Sequence, residues 1–205
     1  PDRPVDTVVD LPLGVVGASL LRLRAANFGP HIAAHADCRH CGERLAFTLD
    51  VAELLHGAPP EDGVAPVPTT DVAGLHIRAP SLRDLASVAG MAPDAAAQAL
   101  LARCTLAGQG AALDAAGRAQ VEDALEALDP QADLAFTLDC PDCGQEGTAQ
   151  LDTAALLWDE ITARAGALMN EVHRLARAYG WSEAQILALP AVRRAHYLAL
   201  VESAP

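Results

Sequence analysis

The chain has 205 residues, room for one large domain or two small ones, and it is 51% hydrophobic, with alanine and leucine prominent and aromatics only 3%. Its formal charge is −13 and every one of its 14 basic residues is arginine, the opposite of the basic surface that binding a phosphate backbone requires. No apolar run approaches the ~20 residues that span a bilayer, and no stretch shows the basic, apolar and small-residue succession of a signal peptide.

Residues 1–10 carry prolines and charges and read as an extended arm. Over residues 12–28, Val15, Val16, Leu20, Leu21 and Leu23 fit a helix that Gly29-Pro30 stops, with Arg22 and Arg24 on a solvated face. Then comes Asp37-Cys38-Arg39-His40-Cys41-Gly42, a Cys-x-x-Cys-Gly turn. Behind it Leu45, Phe47 and Leu49 alternate with polar or small residues, the period of a half-buried strand, and Asp50 is placed to cap a short helix. Residues 57–70 are rich in glycine, proline and acid and read as a loop.

Leu75-His76-Ile77 suggests one short strand, after which three helices follow. Ser81 and Asp84 have capping-box spacing ahead of Leu82, Leu85 and Val88, and Gly90 closes that helix. Pro93 opens the second, on which Cys104 shares a face with Leu100 and Leu101 and reads as a small buried hydrophobe. The third runs from Asp114 to Leu128, ahead of Pro130. Leu134, Phe136 and Leu138 alternate into a second turn, Asp139-Cys140-Pro141-Asp142-Cys143-Gly144, and a strand leaves it towards Leu151. Asp152 then heads the longest helix, along which Trp158, Ile161, Ala165, Leu168, Val172, Leu175 and Tyr179 recur three and four apart. That narrow seam suits packing along another helix, chiefly one in the same chain. Gly180 ends it, Ser182 and Gln185 cap a short helix, and Pro190 starts a last one.

The two cysteine turns are related beyond their four cysteines. Asp50 follows Cys41 at the interval by which Asp152 follows Cys143, and Phe47-Thr48-Leu49-Asp50 recurs as Phe136-Thr137-Leu138-Asp139. A tight turn with two residues between cysteines presents both sulfurs to one ion, and two such turns complete a tetrahedral set. Cys38, Cys41, Cys140 and Cys143 are therefore the expected ligands of one structural zinc ion. His31, His35 and His40 lie near the first turn but are not needed as ligands. A redox dithiol of the thioredoxin type would require a βαβ setting, which this sequence does not show, and five cysteines so arranged suit a reducing cytoplasm.

The expected fold is α+β and mostly α. It has an arm and helix over 1–30, a split zinc ribbon of two knuckles on short β-hairpins over 31–56 and 132–152, a loop with a three-helix insertion over 57–131, and a helical segment over 153–205. Four thiolates leave no open position for a catalytic water, and no His-x-Glu, glycine-rich phosphate loop, nucleophile elbow or His-Glu-x-x-His motif occurs, so no enzyme is expected. Trp158, Tyr179, Trp181, Arg193 and Arg194 are candidate partner contacts. For the rings, packing of the C-terminal helices is an equal alternative, and for the arginines pairing within this acidic chain is the favoured use.

Several groups of residues together resemble one family. They are Asp10-Leu11-Pro12-Leu13-Gly14, Leu20-Leu21-Arg22-Leu23-Arg24, Phe28-Gly29-Pro30 leading to Cys38-x-x-Cys41-Gly42-Glu43, and Ser81-Leu82-Arg83-Asp84-Leu85 ahead of Leu100-Leu101-Ala102-Arg103-Cys104. Leu156-Leu157-Trp158-Asp159-Glu160, Glu171-Val172-His173-Arg174-Leu175-Ala176, Tyr179-Gly180-Trp181-Ser182-Glu183 and Ile186-Leu187-Ala188-Leu189 before Arg193-Arg194 extend the likeness over nearly the whole chain. The combination resembles the baseplate hub assembly chaperones, or T-even-type baseplate proteins, of contractile phage tails and related injection systems. Leu13-Gly14-Val15-Val16-Gly17 departs from that pattern in lacking charge. The resemblance implies a non-enzymatic protein that binds other baseplate, hub or tail proteins, with homo-oligomerisation inside a symmetric particle. It places the protein in the cytoplasm or within a phage or phage-tail-like particle. The alternative is a zinc-ribbon adaptor in an unrelated cytoplasmic complex.

Overall fold

The computed structural model describes residues 5–59, 66–108 and 113–203. The chain forms two compact units, Pro1–Ala154 and Ala155–Pro205. No helix among the described residues is long and apolar enough to cross a membrane.

The first unit opens on a helical turn, α1 (Val5–Val8), where an extended arm was expected; residues 1–4 of that arm lie outside the described residues. Helix α2 (Leu13–Phe28) begins behind the buried Pro12. The Gly14 amide in its first turn donates to Asp129 Oδ2 at 2.8 Å, so a carboxylate 115 residues away satisfies one of the free amides there. Only glycine fits: a Cβ at position 14 would lie 1.9 Å from Asp129 Oδ1. Arg24 corrects the expectation of a solvated helix face. It is buried, and its guanidinium donates to the carbonyls of Gly29 and His31 at 2.7 Å each, tying the helix end to the strand that follows. Arg22 likewise donates to the Pro59 carbonyl.

Strands β1 (His31–Asp37) and β2 (Arg44–Asp50) form an antiparallel hairpin whose register sets Asp37 opposite Arg44 and His31 opposite Asp50. Asp50 then accepts from the Ala52 amide at 2.8 Å and caps α3 (Val51–Leu54). Leu21 of α2, Ile32 of β1, and Val51 and Leu54 of α3 are buried together on this side.

The insertion is not purely helical. Strands β3 (Thr69–Val72), β4 (Leu75–Arg78) and β5 (Thr105–Gly108) make an antiparallel sheet in the order β3-β4-β5, around helices α4 (Leu82–Val88), α5 (Pro93–Cys104) and α6 (Ala115–Leu128). Each strand has four residues, too few for a period of two to register, and Thr69–Val72 falls partly in a stretch whose composition reads as loop. The β3-β4 turn sets both Ala73 (φ 51°) and Gly74 (φ 76°) at positive φ, the requirement of a two-residue primed turn, but without the usual Asn-Gly or Asp-Gly signature. Leu75 and Ile77 of β4 and Val121 of α6 form the buried centre, with Leu101, Leu113 and Leu125 against it. Cys104 is fully buried.

Beside that core lies a buried ion network. Asp84, 1% exposed, receives both Arg78 guanidinium nitrogens at 2.7 and 3.1 Å, Arg103 Nε at 3.0 Å, and the Ser81 amide and hydroxyl at 3.0 and 2.8 Å. The hydrogen bonds from Arg78, joined by those of Ser81, overcome burial and hold the Asp84 carboxyl well below the usual carboxylate range. The Ser81–Asp84 capping box expected at the start of α4 is thus present, and it serves the network as well.

Strands β6 (Ala135–Asp139) and β7 (Glu146–Gln150) form the second hairpin, and α7 (Thr153–Tyr179) starts at the end of the first unit. In the second unit, Val172 and Leu175 of α7 and Ile186 of α8 (Glu183–Leu187) are buried, with Tyr197 and Leu198 of α9 (Ala191–Ser203) against them. The seven-residue seam is therefore covered within this unit only at its C-terminal end. Trp158 and Ile161 are 69% and 42% exposed.

Candidate metal centre

Each cysteine turn closes its hairpin in the same way. In the first, the Cys38 amide donates to the Glu43 carbonyl at 2.8 Å and the Gly42 amide to the Cys38 carbonyl at 2.9 Å. In the second, the Cys140 amide donates to the Gln145 carbonyl at 3.0 Å and the Gly144 amide to the Cys140 carbonyl at 2.9 Å. Gly42 (φ 78°) and Gly144 (φ 66°) take the left-handed conformation that lets the chain reverse directly after the second cysteine.

The two turns meet. Cys38 Sγ lies 3.7 Å from Cys143 Sγ, Cys41 Sγ lies 3.6 Å from Cys140 Sγ, and all four sulfurs are within 4.8 Å of one another. Four sulfurs each ~2.3 Å from a common centre have tetrahedral edges of about 3.8 Å, so the spacing fits a closed four-thiolate site. A disulfide would require sulfurs ~2.05 Å apart, and all five cysteines are free. Ala36 and Leu45 of the first hairpin and Leu138 and Ala149 of the second line a cavity of about 20 Å³ beside the sulfurs.

The backbone prepares the thiols for a cation. Hydrogen bonds from the Cys41 and His40 backbone draw the Cys38 thiol down to about 6. At Cys41 the Glu43 amide pulls the same way, but burial and the neighbouring thiols prevail and push it up to about 12. Cys143 is raised as well, its Gln145 amide outweighed by burial and by Cys140. Cys38 is lowered while Cys41 and Cys143 are raised, as crowding of like charges requires, and a positive ion among the sulfurs would favour the thiolate forms. The residues present fit a soft, tetrahedral dication.

His31 is instead 3.2 Å from Asp50 Oδ2, and His35 and His40 are exposed; none of the three joins the sulfur cluster. Of the matches between the two halves, the interval to Asp50 and Asp152 has structural meaning, since both stand directly ahead of a helix. The repeated Phe-Thr-Leu-Asp does not: it falls on the outgoing strand of one hairpin and the incoming strand of the other. It reports strand composition rather than equivalent positions.

The candidate partner residues have different surroundings. Trp158 is largely exposed. Tyr179 stacks on Trp181 with ring centroids 4.7 Å apart, and Tyr197 meets Trp181 edge-on at 5.0 Å, so these rings pack within the second unit although Tyr179 stays 38% exposed. Arg193 is exposed and reaches the Tyr197 hydroxyl at 3.5 Å. Arg194 does not offer a partner surface: it is 8% exposed, with Nε 3.1 Å from Glu171 and NH1 donating to the Leu189 carbonyl at 2.7 Å. The amides of His40, Cys41, Glu43 and Gln145 at the sulfurs were not identified from sequence, because main-chain donors leave no signature beyond the glycine of each turn.

No protein-family model matches the chain, and searches of curated proteins and of solved structures returned no match.

Proposed function

We propose that this chain is a non-enzymatic structural and assembly protein, held by one structural zinc ion, of the baseplate hub of a contractile phage tail or phage-like injection particle. The observation that carries the structural role is the closed set of four sulfurs within 4.8 Å of one another. A zinc ion with four protein thiolates has no position left for water or substrate, so its contribution is to the fold. Cys38, Cys41, Cys140 and Cys143 would hold it, and the hairpins carry the ligands in from segments that the insertion separates.

The baseplate assignment rests on the sequence resemblance, from Asp10-Leu11-Pro12 through the two knuckles to Tyr179-Gly180-Trp181. The exposed upper seam of α7 is consistent with a protein that presents surface to others. Mass spectrometry of purified contractile particles and of their assembly intermediates tests the reading. The chain is expected in one or both fractions, and its loss is expected to stop baseplate completion. Absence from both, with normal particles in its absence, would overturn the assignment and favour the adaptor role.

A further inference from the structure

Leu82, Leu85 and Val88 recur along α4 at helical spacing, yet Leu85 is 40% exposed. Both leucines border two hollows of the first unit. One, of about 330 Å³, is walled by Leu13 and Val16 of α2, by Leu82 and Leu85, and by Leu134 and Leu151 flanking the second hairpin. The other, of about 530 Å³, lies against Val9, Ala86 and Ala89 and shares the same two leucines. Together they make an apolar trough with α4 as its ridge.

The polar side chains on the 330 Å³ hollow are Gln131, Asp133, Gln150, Asp152 and Thr153, two of them carboxylates. Gln131 Oε1 is buried without a hydrogen-bond partner, although a buried carbonyl oxygen left unbonded is destabilising. The carboxylates of Asp133 and Asp152 also line the wall, and the Gln150 amide already donates to Asp133 at 3.1 Å. No arginine is among the described residues that line this hollow, and Arg83, which lines the other, is paired with Asp10. An apolar cleft with acceptors around it, on a chain of formal charge −13, complements an occupant with apolar side chains and positive N–H donors.

We infer that this trough is the docking site for a short amphipathic segment of a partner protein that carries lysine or arginine beside its apolar residues. The inference deepens the assembly reading and rests on it: the partner's leucine-like side chains fill the hollows that share Leu82 and Leu85, and a cationic side chain meets the exposed carboxylates of Asp133 and Asp152. The seam of α7 was the weaker candidate, because its borders carry both signs of charge.

Fluorescence anisotropy on the full-length protein tests this. The probe is a labelled helix-forming peptide of leucine, alanine and arginine, compared at physiological salt with the same peptide bearing glutamate in place of arginine. The arginine peptide is expected to bind with a Kd of about 10 μM and the glutamate peptide at least about tenfold more weakly. Leu85→Glu, at an exposed position, and separately Asp133→Asn with Asp152→Asn, are each expected to weaken binding about tenfold, while Val192→Gln, at an exposed position outside both hollows, leaves it unchanged. Binding that ignores Leu85→Glu would be general attraction to an acidic surface and would overturn the inference, as would equal binding of both peptides or none. Concentration-dependent self-association abolished by Leu85→Glu would also overturn it, since the occupant would be a second copy. Failure here with the protein present in purified particles sinks this inference alone; absence from particles sinks the assembly reading.

Discussion

The ribbon and the insertion are neighbours in one compact unit, yet they close by different means. In the insertion, Leu75, Ile77 and Val121 are nearly inaccessible, and the polar group beside them, Asp84, has its ionic and hydrogen-bond partners in place. In the ribbon, the strands of two separate two-stranded hairpins bury a single side chain, Ile32, and otherwise supply half-buried or exposed ones, and a two-stranded hairpin is marginal in water on its own. What joins the hairpins is the sulfur cluster. A core of ordinary side chains forms wherever sequence supplies enough of them; here cysteines distant in the chain, Cys41 and Cys140 being 99 residues apart, come together instead, and the proposed metal ion would link them.

The two hairpins differ as well. The first has seven paired positions and an opposite-charge pair at its mouth, Arg44 Nε 3.1 Å from Asp37. The second has five, and Asp139 stands opposite Glu146, two carboxylates at the equivalent position. Like charges directly across a pair are unfavourable. The second knuckle would therefore depend more on the proposed ion than the first.

The largest effect that separates these regions is loss of a ligand. Cys140→Ser is expected to release the metal and disorder both hairpins while the sheet of the insertion persists. Metal binding contributes on the order of 10–16 kcal/mol of apparent folding free energy in small zinc modules, more than most domains have in total. Amide exchange by NMR would check it: protection should vanish over β1, β2, β6 and β7 and remain at Leu75 and Ile77. Uniform retention would show that the hairpins hold without metal.

Next is Asp84→Asn, which leaves Arg78 facing a neutral group beside a core; breaking a buried pair costs about 3–5 kcal/mol, at the lower end here because Arg78 and Arg103 remain partly exposed. The folded state holds this carboxylate ionised to lower pH than the unfolded chain does. Its stabilisation is complete above the unfolded value of ~3.9 and is lost as pH falls below it. Denaturation at pH 7 and pH 3 should show the wild-type protein losing part of a stability that Asp84→Asn never had, so the gap between the two narrows in acid.

Gly14→Ala sets a methyl group against Asp129 and should destabilise the first unit by about 1–3 kcal/mol without touching the metal. Thermal melting with unchanged zinc content would bear this out. The smallest effect is Glu146→Arg, which gives the second hairpin the pairing of the first and should stabilise it by about 0.2–1 kcal/mol, seen as slower metal release to a chelator. Faster release would contradict the contrast between the hairpins.

Much of this was legible in sequence wherever a local pattern dictates a local structure. The two Cys-x-x-Cys-Gly turns, the Ser81–Asp84 and Ser182–Gln185 boxes and the Asp50 cap depend on residues within a few positions of one another, and each is found. What escaped notice depends on distant partners or on stretches too short to show a period. Strands β3 and β5 have four residues each and are made by pairing with β4, which lies where Leu75-His76-Ile77 read as a strand. Arg24 read as part of a solvated face, but neighbouring carbonyls draw it inside, whereas Arg194 pairs with Glu171, the use within the chain that was favoured for it. Helix α4 has an apolar face by spacing, yet nothing in that spacing says that its leucines border an open trough.

The central claim is that four sulfurs close on one ion. X-ray absorption at the zinc edge of the purified protein, with metal quantified per chain, tests it most directly. The account predicts one zinc per chain in a shell of four sulfurs at about 2.3 Å. A metal-free folded protein, or a shell that includes nitrogen or oxygen ligands, would contradict it.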